Sequence, residues 1–337
     1  MESIPLIKAS QLTPFTNAID EMGGSIEYYL ERVNLPSSIL DFPDAIIPER
    51  PLWQLAELVS QKEKISGFGF ICSEQGAREE LREIISWLRP SPSLYHALLT
   101  FCELANDVSS EAKFWLEQDE QDTLFCREGI KSIDVGRWQI EQYTFIIMLQ
   151  LIRLGTGKSW LPDKVYFQTN TTSGIETTDT LEQAQLFIGQ PYTAIAIPHS
   201  LLCLPLVNIG VLDTSLTSDR DSCNSISDLD FLDKIRNVVK TYLHGHYPEI
   251  DTISNALGIS ARTLQRRLTS AGSNYSKMIQ DVRYENAISL LKDNDVKLLD
   301  ITYELGYSDP AHFSRAFHRM AGISPREFRN VHTERQT

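Results

Sequence analysis

Residues 253–322 carry one short pattern twice. Ile253-Ser254-Asn255-Ala256-Leu257-Gly258-Ile259-Ser260 is answered 48 positions later by Ile301-Thr302-Tyr303-Glu304-Leu305-Gly306-Tyr307-Ser308. After one inserted residue, Leu264, Arg266 and Leu268 match Phe313, Arg315 and Phe317; after one more, Ala271-Gly272 matches Ala321-Gly322. Apolar residues recur at helical spacing on both sides of a glycine, so each copy is expected to fold as helix, tight turn, helix. Gly258 and Gly306 mark the bends, where a residue lacking Cβ adopts positive φ at little cost. Leu264 and Leu268, like Phe313 and Phe317, fall four apart and are expected to bury against the first helix of their own unit. Periodicity then turns Arg262, Thr263, Gln265 and Arg266 outward in the first copy, and Ala311, His312, Ser314 and Arg315 in the second. Long bidentate donors beside small or hydroxyl-bearing residues are what base edges in a DNA major groove demand. Arg267, Arg283 and Arg319 are expected at phosphates, contacts that position a protein without reading sequence. A single such segment is often an ordinary helical hairpin; two matched copies are a far stronger signal.

From Leu229 onward the pattern is helical throughout. Phe231–Leu243 leads in, Ser276–Lys292 connects the two copies with Ile279, Val282, Ala287, Leu290 and Leu291 facing inward, and Pro325–Asn330 closes the region. Ser260, Asp309 and Ser324 stand where N-caps belong, and Pro310 and Pro325 suit first helical positions. Upstream, helices are expected around Leu52–Val59, Leu81–Leu88 and Leu94–Ala105. Strands are expected at Lys113–Leu116 and Thr123–Arg127, a long apolar helix at Gln139–Leu154, a strand at Lys164–Thr169, a short helix at Leu181–Phe187 and a strand at Thr193–Ile197. Helices first, then mixed elements, point to an α+β fold. A run rich in Ser, Thr and Asp over 213–228 reads as a linker. The expected organisation is an α+β sensor domain over 1–212, a linker over 213–230 and an all-α double helix-turn-helix domain over 231–332.

A net charge of −14 would argue against nucleic-acid binding if it were spread evenly. It is not: residues 231–337 hold 15 Lys and Arg against 12 Asp and Glu, whereas residues 1–230 hold 16 against 33. The acidity belongs to the first part and leaves a local basic face available in the second. No apolar run is long enough to span a bilayer, and the start lacks a basic segment followed by an apolar one, so a cytoplasmic location without membrane association is expected. Five scattered cysteines without CxxC pairing suit a reducing compartment.

Ser260-Ala-Arg-Thr-Leu-Gln-Arg-Arg-Leu268, Gly306-Tyr-Ser-Asp-Pro-Ala-His-Phe-Ser-Arg-Ala-Phe317 and Gly322-Ile-Ser-Pro-Arg-Glu-Phe-Arg329 together resemble the DNA-binding domain of the AraC/XylS family of bacterial transcription regulators. The resemblance covers about residues 230–332. It implies a seven-helix domain that sets recognition helices in two successive major-groove segments of double-stranded DNA. Arg262, Gln265 and Arg266 would then contact bases or phosphates from the first unit, and His312, Ser314 and Arg315 from the second. RNA polymerase would be the partner of an activator of this kind. The family usually has Ala where this chain has Ser254 and Thr302; both are small, and their hydroxyls are expected to bond backbone. Phe42-Pro-Asp-Ala-Ile-Ile-Pro48 and Leu88-Arg-Pro-Ser-Pro-Ser-Leu-Tyr-His-Ala-Leu98 resemble the helix-first sensor of the ornithine-utilisation-regulator type. That likeness implies a module for a small-molecule effector and for homodimer formation, distinct from a sugar-binding barrel.

Other chemistry lacks its residues. Gly155-Thr-Gly-Lys-Ser159 is short of the first glycine of a phosphate loop, since position 152 is Ile, and it follows a helix, so a glycine helix stop is expected. His244-Gly-His246 has no carboxylate or thiol at metal-ligand spacing, and no HExxH or GxSxG pattern occurs, so neither an enzyme nor a cofactor is expected. Trp138, Tyr143, Phe145, Trp160 and Tyr166 are expected in the core. Two other readings stay open on the residues alone: an effector-independent factor recruiting a protein partner, and an enzyme domain tethered to a DNA-binding tail.

Overall fold

The computed structural model describes residues 4–73, 84–86, 88, 91–105, 109–207, 226, 229–243, 247–293 and 295–334. Strand β1 (Leu6–Lys8) pairs antiparallel with β2 (Ile46–Pro48), bringing Leu6 opposite Pro48 across the helices between them. Those helices are α1 (Thr13–Glu21) and α2 (Ile26–Arg32), the second capped by Ser25 Oγ accepting from Tyr28 N at 3.2 Å. Helix α3 (Arg50–Glu63) starts on Pro51 and buries Leu52, Trp53, Leu55, Ala56 and Val59. Helix α4 (Leu94–Leu104) follows. The expected helix over 81–88 is helical at 84–86 and 88; Leu81 lies outside the described residues.

A five-stranded sheet comes next, built from β3 (Lys113–Gln118), β4 (Asp122–Glu128), β5 (Lys164–Tyr166), β6 (Gln185–Phe187) and β7 (Thr193–Pro198) in the order β3-β4-β7-β5-β6. All neighbours are antiparallel except β5 and β6. Helix α5 (Arg137–Thr156) crosses one face and is buried nearly all round, as an apolar core helix must be. Its polar residues are satisfied. Gln139 and Gln142 accept from Gly69 N at 3.1 Å each, and Glu141 accepts from Gln168 N, Thr169 N and Thr193 Oγ1. Gly157 ends the helix at φ +89°, the expected glycine stop.

Two expectations need correction here. The strand expected over Lys164–Thr169 stops at Tyr166, because the backbone N–H groups of Gln168 and Thr169 go to the Glu141 carboxylate and leave the ladder. The helix expected over Leu181–Phe187 is a 3-10 turn at Asp179–Leu181 followed by β6, whose register is supplied by β5, with Leu186 opposite Val165. The sequence over 181–187 carries no trace of that distant partner.

The C-terminal region holds seven helices among the described residues: α6 (Phe231–Tyr242), α7 (Ile250–Ala256), α8 (Ala261–Ser270), α9 (Tyr275–Leu291), α10 (Leu298–Glu304), α11 (Pro310–Ala321) and α12 (Pro325–Glu334). The linker expected over 213–228 lies outside the described residues, apart from a buried Ile226, as do His244 and His246. Caps fall where the sequence put them. Ser260 Oγ accepts from Thr263 N at 3.1 Å, Asp309 Oδ1 from His312 N at 2.8 Å, and Ser324 Oγ from Glu327 N at 3.2 Å. The Glu327 carboxylate accepts in return from Ser324 N at 2.8 Å, which makes a reciprocal capping box.

Candidate nucleic-acid interface

Each repeat folds as one bihelical unit, α7–α8 and α10–α11. Gly258 and Gly306 sit at the bends with φ of +69° and +67°, the left-handed conformation that disfavours any Cβ. Leu264, Leu268, Phe313 and Phe317 are all buried, 3% exposed at most. Ser254 Oγ donates to Asp251 O at 3.1 Å and Thr302 Oγ1 to Leu298 O at 2.7 Å, so both hydroxyls are absorbed by backbone inside their helices. With the apolar stripe turned inward, geometry fixes the opposite face. On α8, Arg262, Gln265 and Arg266 are exposed; Thr263 is half-buried, its hydroxyl 2.9 Å from Ser260 Oγ, and Arg267 is half-buried. On α11, Ala311, His312, Ser314, Arg315 and Arg319 are exposed. The ion pairs Lys8–Asp44 and Arg236–Glu285 lie outside both faces.

The second helix carries one residue that the sequence reading passed over. His318, exposed one turn beyond Ser314 and Arg315, joins them, Arg319 and Ser324 around a shallow concavity of about 350 Å³. Its i+4 spacing from Ser314 was the available signal. The cap of α11 is also electrostatically marked. Asp309 is held below the usual carboxylate range by the His312 N–H it accepts and by the nearby His312 and Arg315 side chains.

Arg283 departs from the expected phosphate contact. Its Nη2 donates to Gly306 O at 2.7 Å, and its guanidinium lies 4.3 Å from the centre of the Tyr307 ring and 5.1 Å from that of Tyr247. Burial lowers its pKa, with the two tyrosines opposing. The side chain is a strut that ties the connector to the turn of the second unit.

The two units differ in what lies behind them. Leu264, Leu268 and the first half of α9 (Met278, Ile279, Val282) belong to one continuous apolar cluster that runs through α6 into the N-terminal domain. Phe313 and Phe317 belong to a separate cluster with Ala287, Leu291, Ile301 and Leu305. The bond across the domains is specific: Thr241 Oγ1 donates to Ile46 O at 3.0 Å. Arg50 lies over the first turn, since a Cβ at Gly258 would sit 2.9 Å from Arg50 Nη1. Behind that contact, the N-terminal domain contains a cavity of about 100 Å³ between α1, the start of α3, α4, β3, β4 and α5. Glu49, next to Arg50, lines it. So does Tyr143, expected in the core and found both buried and facing this space.

Among the described residues no group of three or more His, Cys, Asp or Glu could hold a metal ion, and no helix is long and apolar enough to cross a membrane. Comparison with known proteins places two segments. A family model described as a helix-turn-helix domain matches residues 253–330. A second, described as the N-terminal arabinose-binding domain of AraC transcription regulator, matches residues 23–206, more than half of the chain. Among curated relatives, the HTH-type transcriptional regulator VqsM of Pseudomonas aeruginosa is 32% identical over 130 residues, 38% of this chain and 40% of the relative. The ornithine utilization regulator of the same organism is 26% identical over 146 residues, 42% of each chain. The virulence regulon transcriptional activator VirF of Shigella flexneri is 29% identical over 138 residues, 40% of this chain and 49% of the relative. Each match thus spans less than half of the relative's length. With an α+β N-terminal domain, two bihelical units in tandem and both family models in register with them, this chain belongs to the AraC family of transcription regulators.

Proposed function

We propose that this chain is a one-component transcription activator that reads two adjacent major-groove segments and answers to a small-molecule effector, without catalysing a reaction. One observation carries the reading: two recognition helices built on the same apolar spacing both present their polar, arginine-bearing faces to solvent. In this reading Arg262, Gln265 and Arg266 contact one segment, and His312, Ser314 and Arg315 the next. Thr263, Arg267 and Arg319 support them at the backbone of the duplex. RNA polymerase is the partner on the promoter, and a second copy of the chain pairs through the sensor. The names of the relatives, several of them activators, support the direction of control.

Control has a short route available. Residues 46–50 touch the reader at two points, through Ile46 O on Thr241 of α6 and through Arg50 over Gly258 of the first unit, and the same segment lines the sensor cavity through Glu49. A ligand that shifts this segment changes the population of reader positions competent for DNA. Selection of duplexes from a random pool, followed by footprinting, tests the function. Protection of two successive major-groove segments on one face is expected. Failure to protect any sequence in preference to the starting pool rejects the reading.

A further inference from the structure

The sensor cavity is walled in part by a buried cation. Arg127, on β4, is 3% exposed and lines the space, and its Nε has no hydrogen-bond partner among the described residues. A buried donor left unmade is costly, and more so when it belongs to a charge. The carboxylates nearest in effect, Glu141 and Glu49, act on Arg127 only through space and are spoken for elsewhere. Glu141 holds the backbone of Gln168 and Thr169 together with Thr193. Glu49 accepts from Trp53 Nε1 at 3.1 Å and from Ser109 Oγ at 3.0 Å. Thr144, also on the wall, spends its hydroxyl on Ile140 O at 2.8 Å. Most of the remaining wall is apolar, with Phe15, Leu52, Phe101 and Ile147 prominent.

We infer that this cavity is the effector site and that it takes a short-chain monocarboxylate, its acid group paired with Arg127 and its alkyl part against the apolar wall. The inference rests on the effector-controlled reading above and gives it a ligand class. A guanidinium offers planar, charge-assisted bonds to a carboxylate, stronger than those to a neutral acceptor. Size sets the chain length: a cavity of about 150 Å³ accommodates the ring of benzene, so about 100 Å³ suits an acid of roughly two or three carbons. A zwitterionic amino acid fits less well. Burial pushes the Glu49 carboxyl up to about 7, and its oxygens are already taken, so little negative charge is offered to an ammonium group.

The test is calorimetry and thermal shift on the full chain with propanoate, propanamide, propylamine and alanine. Propanoate is expected to bind at least tenfold more tightly than the other three. Arg127→Gln should abolish that preference. Ala105→Leu, which fills the cavity without touching the charge, should abolish binding with circular dichroism unchanged, and it carries the comparison if Arg127→Gln does not fold. Equal binding of propanamide, tighter binding of alanine, retention of propanoate in the folded variants, or no binding by any probe overturns the inference. Selected duplex DNA is titrated in parallel. A protein that binds its duplex but no acid loses only this ligand assignment, whereas a protein that binds acid but no duplex loses the regulatory reading.

Discussion

The two reading units are near copies in sequence and opposites in attachment. The first, α7–α8, shares its apolar core with the sensor through α6 and the first half of α9. The second, α10–α11, closes on an aromatic core of its own, in which Phe317 lies 5.5 Å from Phe328, 6.0 Å from Phe313 and 5.4 Å from Tyr284. A cleft of about 700 Å³ lies between the sensor loop at 41–46 and helices α6, α9 and α10. Identical local patterns therefore build one unit that feels the sensor and one that is carried at the end of a helix. That contrast fits the control proposed above, in which the first unit expresses the sensor state and the second supplies constant grip.

The largest effect that could break this comparison is removal of the aromatic centre of the second unit. Phe317→Ala should cost about 3–5 kcal/mol. Hydrogen exchange should then show lost protection in α10–α12 with the sensor and first unit intact; lost protection in the sensor as well would show that the cores are not separate. Leu268→Ala is the counterpart and should weaken protection in both the first unit and the sensor.

The next effect concerns pH. Glu49 is raised from 4.5 to about 7, chiefly by burial, against the hydrogen bonds from Trp53 and Ser109 and the charge of Arg127, with Glu111 adding to the rise. A raised acid binds its proton more tightly folded than unfolded. The stability it contributes is therefore fully present below about 4.5 and lost as pH rises through about 7, a change on the order of 3 kcal/mol. Denaturation of the wild type should show this loss relative to Glu49→Gln, in the sensor and first unit together. Parallel pH profiles for the two proteins would contradict the assignment.

Smaller effects sharpen the picture at the DNA. Arg266→Ala and Arg315→Ala should each cost about 1–3 kcal/mol of binding. Each should relax base preference in a different segment, as read by repeating the selection with each variant; unchanged affinity and preference in both would remove these residues from the interface. The smallest change is Thr241→Val, which deletes the bond to Ile46 O and should cost about 1 kcal/mol. Its informative readout is the effect of ligand on DNA affinity, which should shrink while binding by the unliganded protein persists.

Much of the reader was legible from the chain because its determinants are local. Caps at Ser260, Asp309 and Ser324, turns at Gly258 and Gly306, and burial at i and i+4 all involve neighbours within a turn or two of helix. Strand β6 was misread because its partner is 21 residues away, with Val165 opposite Leu186, and the pairing of β1 with β2 was missed because it joins residues 6–8 to 46–48. The strut made by Arg283 was not foreseen for a related reason. Its place on the connector suggested solvent, and only the folded chain brings Gly306 O, Tyr247 and Tyr307 around it.

The amino-acid order alone settled the tandem bihelical units, their polar faces and the α+β character of the part before them, since periodicity, capping and glycine placement are short-range effects. Tertiary structure decided which unit leans on the sensor, that Arg127 and Glu49 meet in one cavity, and that residues 46–50 join that cavity to the first turn. Those outcomes depend on side chains far apart in the chain competing for the same buried space, and no local pattern encodes the winner.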